Sequence, residues 1–171
     1  MFLNRLKDFV GKKIVKKQLA NVPKTSDEKI RTVGILFDQT YFHERDALLA
    51  ELEKAGIARG NISVLVFKDA IKKNETIDAP SFSYRDFKWT AQIDNADIKS
   101  FTRKHFDLLI NYYDVEKAPL LLVSHLSDAK FKAGFSSVDK RLHHFMIDTH
   151  AENYKVFADE LVKYLNILNK L

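Results

Sequence analysis

The apolar positions of this chain fall into short blocks whose period changes from one block to the next. From Ile30 to Asp38, IRTVGILFD, they form a branched run without alternation after its first turn, as in a strand buried on both faces. The following ERDALLAELEKAG puts Leu48, Leu49, Leu52 and Ala55 at helical spacing and stops at Gly56. NISVLVF, Asn61 to Phe67, is again strand-like, so residues 30–67 predict a βαβ unit. Further on, NADIKSFTRKH predicts a short helix from Ala96 with Asp94 or Asn95 as its cap. FDLLINYYD, Phe106 to Asp114, predicts a buried strand, and APLLLVSHLSDA a helix that turns Leu121, Leu122 and Leu126 to the sheet. KFKAGFS and HHFMIDT read as short strands. The closing AENYKVFADELVKYLNILNKL repeats Phe157, Leu161, Tyr164, Leu165 and Leu168 at helical spacing. This order predicts an α/β fold: a single Rossmann-like, open, mostly parallel sheet with helices on both faces.

A basic amphipathic helix is expected ahead of that sheet. In MFLNRLKDFVGKKIVKKQL, residues Phe2, Leu3, Leu6, Phe9 and Val10 share one face, but beyond Gly11 the same face would carry Lys13 and Lys17. The apolar side there moves round to Ile14, Val15 and Leu19. A helix bent or broken at Gly11 satisfies this pattern, and so does one packed on the body with lysine stems along its edges. Residues 1–20 are thus read as a basic helical segment and 21–29, NVPKTSDEK with Pro23, as a linker. Residues 30–171 form the Rossmann-like domain, with a long loop at 68–94. The linker predicts that residues 1–19 can be removed without unfolding the body.

Charge sharpens the interest in that segment. The chain of 171 residues, 46% hydrophobic, is long enough to bury one core, and it has 28 Lys and Arg against 23 Asp and Glu. Residues 1–19 hold six of the basic residues and one acid, which leaves 22 of each sign for the rest. An electrostatic partner would therefore meet the first helix. With no cysteine, disulfides, thiolate nucleophiles and cysteine-ligated zinc are excluded, as suits a reducing compartment. A cytoplasmic protein is expected, with peripheral attachment to the inner face of the membrane as a variant. No apolar run approaches the roughly 20 residues that span a bilayer, and lysines interrupt every stretch that could serve as a secretory signal.

Chemical motifs are few. The turn after the first strand, DQTYFHERD, has none of the glycines that dinucleotide- and phosphate-binding loops need, so no cofactor is expected. His125 and Asp128 could share a helix face, whereas His143 and His144 on a strand would point to opposite sides, and no metal motif is formed. Ser124, Ser136 and Ser137 lack a nucleophile elbow, and no catalytic residue is assigned. Topology supplies the remaining candidates, because open α/β sheets bind ligands beyond the carboxyl ends of their strands. These are Asp38, Gln39, Tyr112, Asp114, Ser136 and Ser137, joined by Arg141, which could pair with a phosphate or with Asp139. Asp38 and Asp114 could hold a cation, serve as acid and base, or cap the helices that follow. For a macromolecular partner the candidates are Arg5, Lys12, Lys13, Lys16 and Lys17 in the first helix and Lys72, Lys73, Arg85, Lys88 and Trp89 in the long loop.

FDLLINYYD, LLLVSHLSDAKFKAGFSS and HHFMIDT, together with the basic start, the entry KIRTVGILFD and the end ELVKYLNILNKL, resemble a family of small uncharacterised proteins of Bacteroidota. That resemblance spans nearly the whole chain and implies no activity. Residues Phe106 to Phe135 more weakly resemble the amino-terminal half of heptosyltransferase-type glycosyltransferases, through FDLLI, a connecting helix and SDAKFKAGF. In those enzymes a second Rossmann-like half, for which this chain leaves no room, holds most of the nucleotide sugar, so the resemblance implies a scaffold kept without its chemistry. The expected function is a non-catalytic binding or adaptor module that meets an anionic partner through its basic helix. A protein or ribonucleoprotein is the leading partner, with direct RNA or peripheral membrane contact as alternatives. The competing expectation is a reduced glycosyltransferase-like enzyme or sugar-nucleotide sensor that uses the strand ends.

Overall fold

The computed structural model of the chain describes residues 2–20 and 28–171. Six strands form one sheet: β1 (Val33–Asp38), β2 (Ile62–Phe67), β3 (Ser81–Phe82), β4 (Leu108–Tyr112), β5 (Phe131–Phe135) and β6 (Phe145–Ile147), in the order β3-β2-β1-β4-β5-β6. Every neighbouring pair is parallel, so the sheet is parallel throughout rather than mostly so. Parallel neighbours need crossovers: α2 (Arg45–Lys54) joins β1 to β2, α3 (Ala96–Thr102) joins β3 to β4 and α4 (Ala118–Leu126) joins β4 to β5. β2–β3 and β5–β6 are joined without an α-helix, and α5 (Tyr154–Ile167) closes the chain. α1 (Phe2–Gln18) precedes the sheet.

The central strands β1, β4 and β5 are buried at every position, which explains their unbroken apolar runs. Alternate side chains go to opposite faces. Leu36, Leu65, Phe67, Leu109 and Tyr113 pack with residues of α1, α3 and α4, whereas Ile35, Phe37, Ile110, Tyr112 and Phe135 pack with α2 and α5. Helices thus cover both faces, as the pattern implied. α2 is followed by Gly56 at φ +96°, a left-handed position that suits glycine.

α1 runs unbroken through Gly11. A Cβ there would lie 2.6 Å from the Phe87 ring and 2.9 Å from the Cβ of Ala118, so the glycine is a close contact between α1, α4 and the 84–89 segment. Val15 and Leu19, one and two turns further on, are buried in the same core. The helix is therefore of the second kind, packed on the body.

The 68–94 stretch is less of a loop than its composition suggested. It contains β3 and a short turn of helix at Tyr84–Asp86, closed by a reciprocal Ser83 and Asp86 capping box, and it buries Phe82, Tyr84 and Phe87. A two-residue strand is too short to leave a periodic signal. Of the expected linker, residues 21–27 lie outside the described residues. Glu28 pairs with Lys130, and Lys29 with Asn169 and the backbone of Leu171. α4 ends at Leu126 and Ser127 is extended, so Asp128 shares no helix face with His125.

Candidate functional site

Strand order reverses direction between β1 and β4, and α/β sheets bind ligands at the carboxyl ends of such a pair. Asp38 ends β1 there and is buried. Its Oδ2 lies 2.7 Å from the ammonium of Lys117, which also contacts Asp69 Oδ1 at 2.8 Å and donates to Thr40 Oγ1 at 2.9 Å. The other carboxylate oxygen of Asp38 accepts from the Thr40 amide at 2.9 Å. Lys117, itself buried, sits 5.1 Å from the ring centres of both Tyr41 and Phe67. Three acceptors and two aromatic rings thus compensate its lost hydration. A crevice of 410 Å³ opens beside this group, lined by Asn4, Arg5, Asp8, Tyr41, Asp69 and Tyr84 among others.

The same end of the sheet presents the N-terminus of α4, whose free amides and dipole would favour an anion. α1 fills that position itself. Asp8 Oδ1 accepts from the Ala118 amide at 2.7 Å and from the Tyr84 hydroxyl at 2.7 Å, while Oδ2 lies 2.7 Å from Lys12. Burial, and then the hydrogen bond to Asp8, push the Tyr84 phenol well above its ordinary pKa. At the other end of α4, Lys132 donates to the Ser124 carbonyl at 2.7 Å, and burial lowers its amine to about 8. α4 therefore has a carboxylate at its N-terminus and an ammonium at its C-terminus, both in the sense its dipole favours. Asp8, Lys117 and Lys132 are absent from the sequence-derived candidates. The available signals were the one acid in the basic segment, a lysine just before an apolar helix, and a lysine inside the buried run FKAGF.

The expected ligand residues do not gather into one site. Asp114 Oδ2 accepts from the Ala151 amide at 2.9 Å, and its carbonyl accepts from Ser137 Oγ at 2.7 Å. The buried Tyr112 hydroxyl donates to the Ala151 carbonyl at 2.6 Å, and Ser136 Oγ donates to Asp148 at 2.9 Å. The Gln39 amide donates to the Phe67 carbonyl at 2.8 Å. Arg141 forms a two-pronged pair with Asp139 at 2.9 and 2.6 Å and donates to the Lys16 carbonyl at 3.0 Å, near the end of α1. This pairing holds the Asp139 carboxyl down at about 2. No hydrogen bond or ion pair connects Asp38 with Asp114 among the described residues, and no cluster of three or more His, Asp or Glu there could hold a metal ion.

The six cations of α1 divide evenly. Lys7 donates to the Phe87 carbonyl at 3.1 Å, Lys12 pairs with Asp8, and Lys16 lies 2.6 Å from Glu116. Arg5, Lys13 and Lys17 are exposed and have no hydrogen-bond or ion-pair partner among the described residues. The outer side of the helix also carries Leu3, Leu6 and Phe9, which are 63%, 41% and 71% exposed. In the 68–94 stretch Lys72, Lys73, Arg85, Lys88 and Trp89 are exposed as well. Of these, Arg85, Lys88 and Trp89 flank the Tyr84 and Phe87 contacts with α1, whereas the Lys72 amide donates to Glu75.

No helix among the described residues is long and apolar enough to cross a membrane. Residues 7–168 match a family described as a family of unknown function (DUF6913), and the chain belongs to that family. No curated protein and no solved structure matches it. The family description carries neither an activity nor a source organism, so the likeness to heptosyltransferase-type enzymes rests on the residues quoted for it alone.

Proposed function

We propose that this protein is a non-catalytic binding module whose α/β body holds α1 by its inner face and offers the outer face to a partner with an anionic surface. The observation that carries this reading is the division of the α1 cations. Lys7 and Lys16 tie the helix to the body and Lys12 pairs with Asp8 of the helix itself, while Arg5, Lys13 and Lys17 face solvent unpaired among the described residues. Cations that serve only solubility have no need to share one arc of one helix in a chain that is otherwise charge-balanced. Asp8 and Lys117 support the non-catalytic part, since they occupy the anion position and the charged floor of the strand-end crevice with the protein's own groups.

Retention on a heparin column, eluted with salt, tests the reading. Arg5→Glu, Lys13→Glu and Lys17→Glu together should abolish retention of the full chain, whereas Lys54→Glu, Lys155→Glu and Lys163→Glu, the same charge change on α2 and α5, should leave most of it. Equal losses would mean that net charge alone is at work, and the reading would fail. The second reading, a sugar-nucleotide or other small-ligand site at the strand ends, draws on the strand order and the 410 Å³ crevice. It requires a ligand that can displace or use the Lys117 ion pairs.

A further inference from the structure

We propose that the anionic surface met by α1 is that of a phospholipid bilayer, with the helix lying in the plane of the interface. This rests on the binding-module reading above and names its partner. An anionic partner explains Arg5, Lys13 and Lys17 but leaves Leu3, Leu6 and Phe9 without a role. At about 100° per residue those three lie on the same side of α1 as Lys13 and Lys17, with Arg5 at its edge, and Phe9 is among the most exposed large apolar side chains of the described residues. Phe9 and Lys13 are one turn apart, as are Lys13 and Lys17, so the outer arc is apolar in its first half and cationic in its second. A bilayer interface matches both halves: acyl chains take the leucines and the phenylalanine, and headgroup phosphates take the lysines. RNA would use the cations, but it offers the exposed leucines no comparable apolar phase.

The surroundings of the helix agree. Tyr41, 75% exposed, shares a crevice with Arg5 on one flank, and Trp89, 42% exposed, lies two residues beyond Phe87, whose carbonyl accepts from Lys7 on the other. Tyrosine and tryptophan settle at the headgroup level of membranes. The inner face supplies rigidity. Gly11, Val15 and Leu19 are buried against the body, and Asp8, Lys16 and the Arg141 contact with the Lys16 carbonyl tie the helix at several points along its length. The helix is therefore already formed and oriented, and it need not fold on arrival as a free amphipathic peptide must.

The test is co-sedimentation of the full chain with vesicles of phosphatidylcholine, alone or doped with phosphatidylglycerol, beside heparin retention. The wild-type chain should sediment with doped vesicles, more weakly as salt rises, and not with pure phosphatidylcholine. Leu6→Ser with Phe9→Ser changes exposed side chains only and should weaken vesicle binding about tenfold or more while leaving heparin retention unchanged. Arg5→Glu, Lys13→Glu and Lys17→Glu should abolish both. Failure of the wild-type chain to bind doped vesicles, or undiminished binding by the serine pair with unchanged melting, would overturn the lipid assignment. If heparin retention still depended on α1 in that case, the binding-module reading would stand and a polyanion such as single-stranded RNA would replace the bilayer. If it did not, both would fall.

Discussion

Gly11→Ala separates a docked first helix from a detached one by the sign of its effect. In an isolated or merely tethered helix, alanine is better than glycine by about 1 kcal/mol. In this structure the added methyl carbon would lie 2.6 Å from Cε1 and Cζ of Phe87 and 2.9 Å from the Cβ of Ala118, about an ångström inside ordinary carbon contact. Phe87 is 1% exposed and cannot swing aside into solvent, and Ala118 is the first residue of α4, held by the hydrogen bond of its amide to Asp8. Overpacking of this kind costs roughly 1–3 kcal/mol or somewhat more where backbone must move. Set against the gain in propensity, the expected outcome is a net loss of up to about 2 kcal/mol, or a melting temperature lower by up to roughly 8 °C for a domain of this size. Urea unfolding followed by circular dichroism measures it, with Gly60→Ala, where an added Cβ meets nothing within 4 Å, as the control. A Gly11→Ala protein more stable than wild type would refute the packing of α1 described above and would restore the expectation that residues 1–19 are separable.

Lys117→Met should destabilise by about 3–5 kcal/mol, because it leaves Asp38 buried and Asp69 beside it without their cation, and adding Asp38→Asn should recover part of that loss in urea unfolding. His143, buried beside Gly134, has its imidazole lowered to about 4 by burial and then by Lys132, against Asp139, which acts the other way. The unfolded chain takes up that proton near pH 6.5, so the native state binds fewer protons between the two values, and stability should fall by about 3 kcal/mol as the pH drops from 6.5 to 4. His143→Leu should flatten this slope, and an unchanged slope in urea midpoints across the range would exclude His143 as its source. If the strand-end reading were correct instead, Asp38→Asn or Asp114→Asn would abolish a nucleotide-sugar-induced shift in melting temperature, whereas the binding-module reading expects no shift in the wild-type chain to begin with.

The sheet was legible because buried parallel strands announce themselves as unbroken apolar runs, and IRTVGILFD, NISVLVF and FDLLINYYD each gave a strand within three residues of its observed limits. β3 was not, since Ser81 and Phe82 are held by their neighbours on β2 and not by any local pattern. Gly11 misled for a related reason. Its low helix propensity is a local property, whereas its use is a tertiary contact with residues 76 and 107 positions away. The candidate acids at the strand ends were placed correctly by topology, but their partners were not predictable. Lys117 reaches Asp38 across 79 residues, and Asp8 reaches Ala118 across 110. A charge count located the basic helix, but it could not tell Lys12, paired with Asp8 of its own helix, and Lys16, paired with the body, from Lys13 and Lys17, which have no such partner among the described residues.

The chain contains no cysteine, so a single Leu6→Cys substitution can carry an environment-sensitive fluorophore on the outer face of α1, with Ile167→Cys, 70% exposed on α5, as the reference position. Emission from both labelled proteins is recorded as vesicles of phosphatidylcholine doped with phosphatidylglycerol are added. A blue shift at position 6, quenched by brominated acyl chains and absent at position 167, is the expected result. No shift at position 6, or equal shifts at both positions, would contradict the assignment of the outer face of α1 as the surface this protein uses.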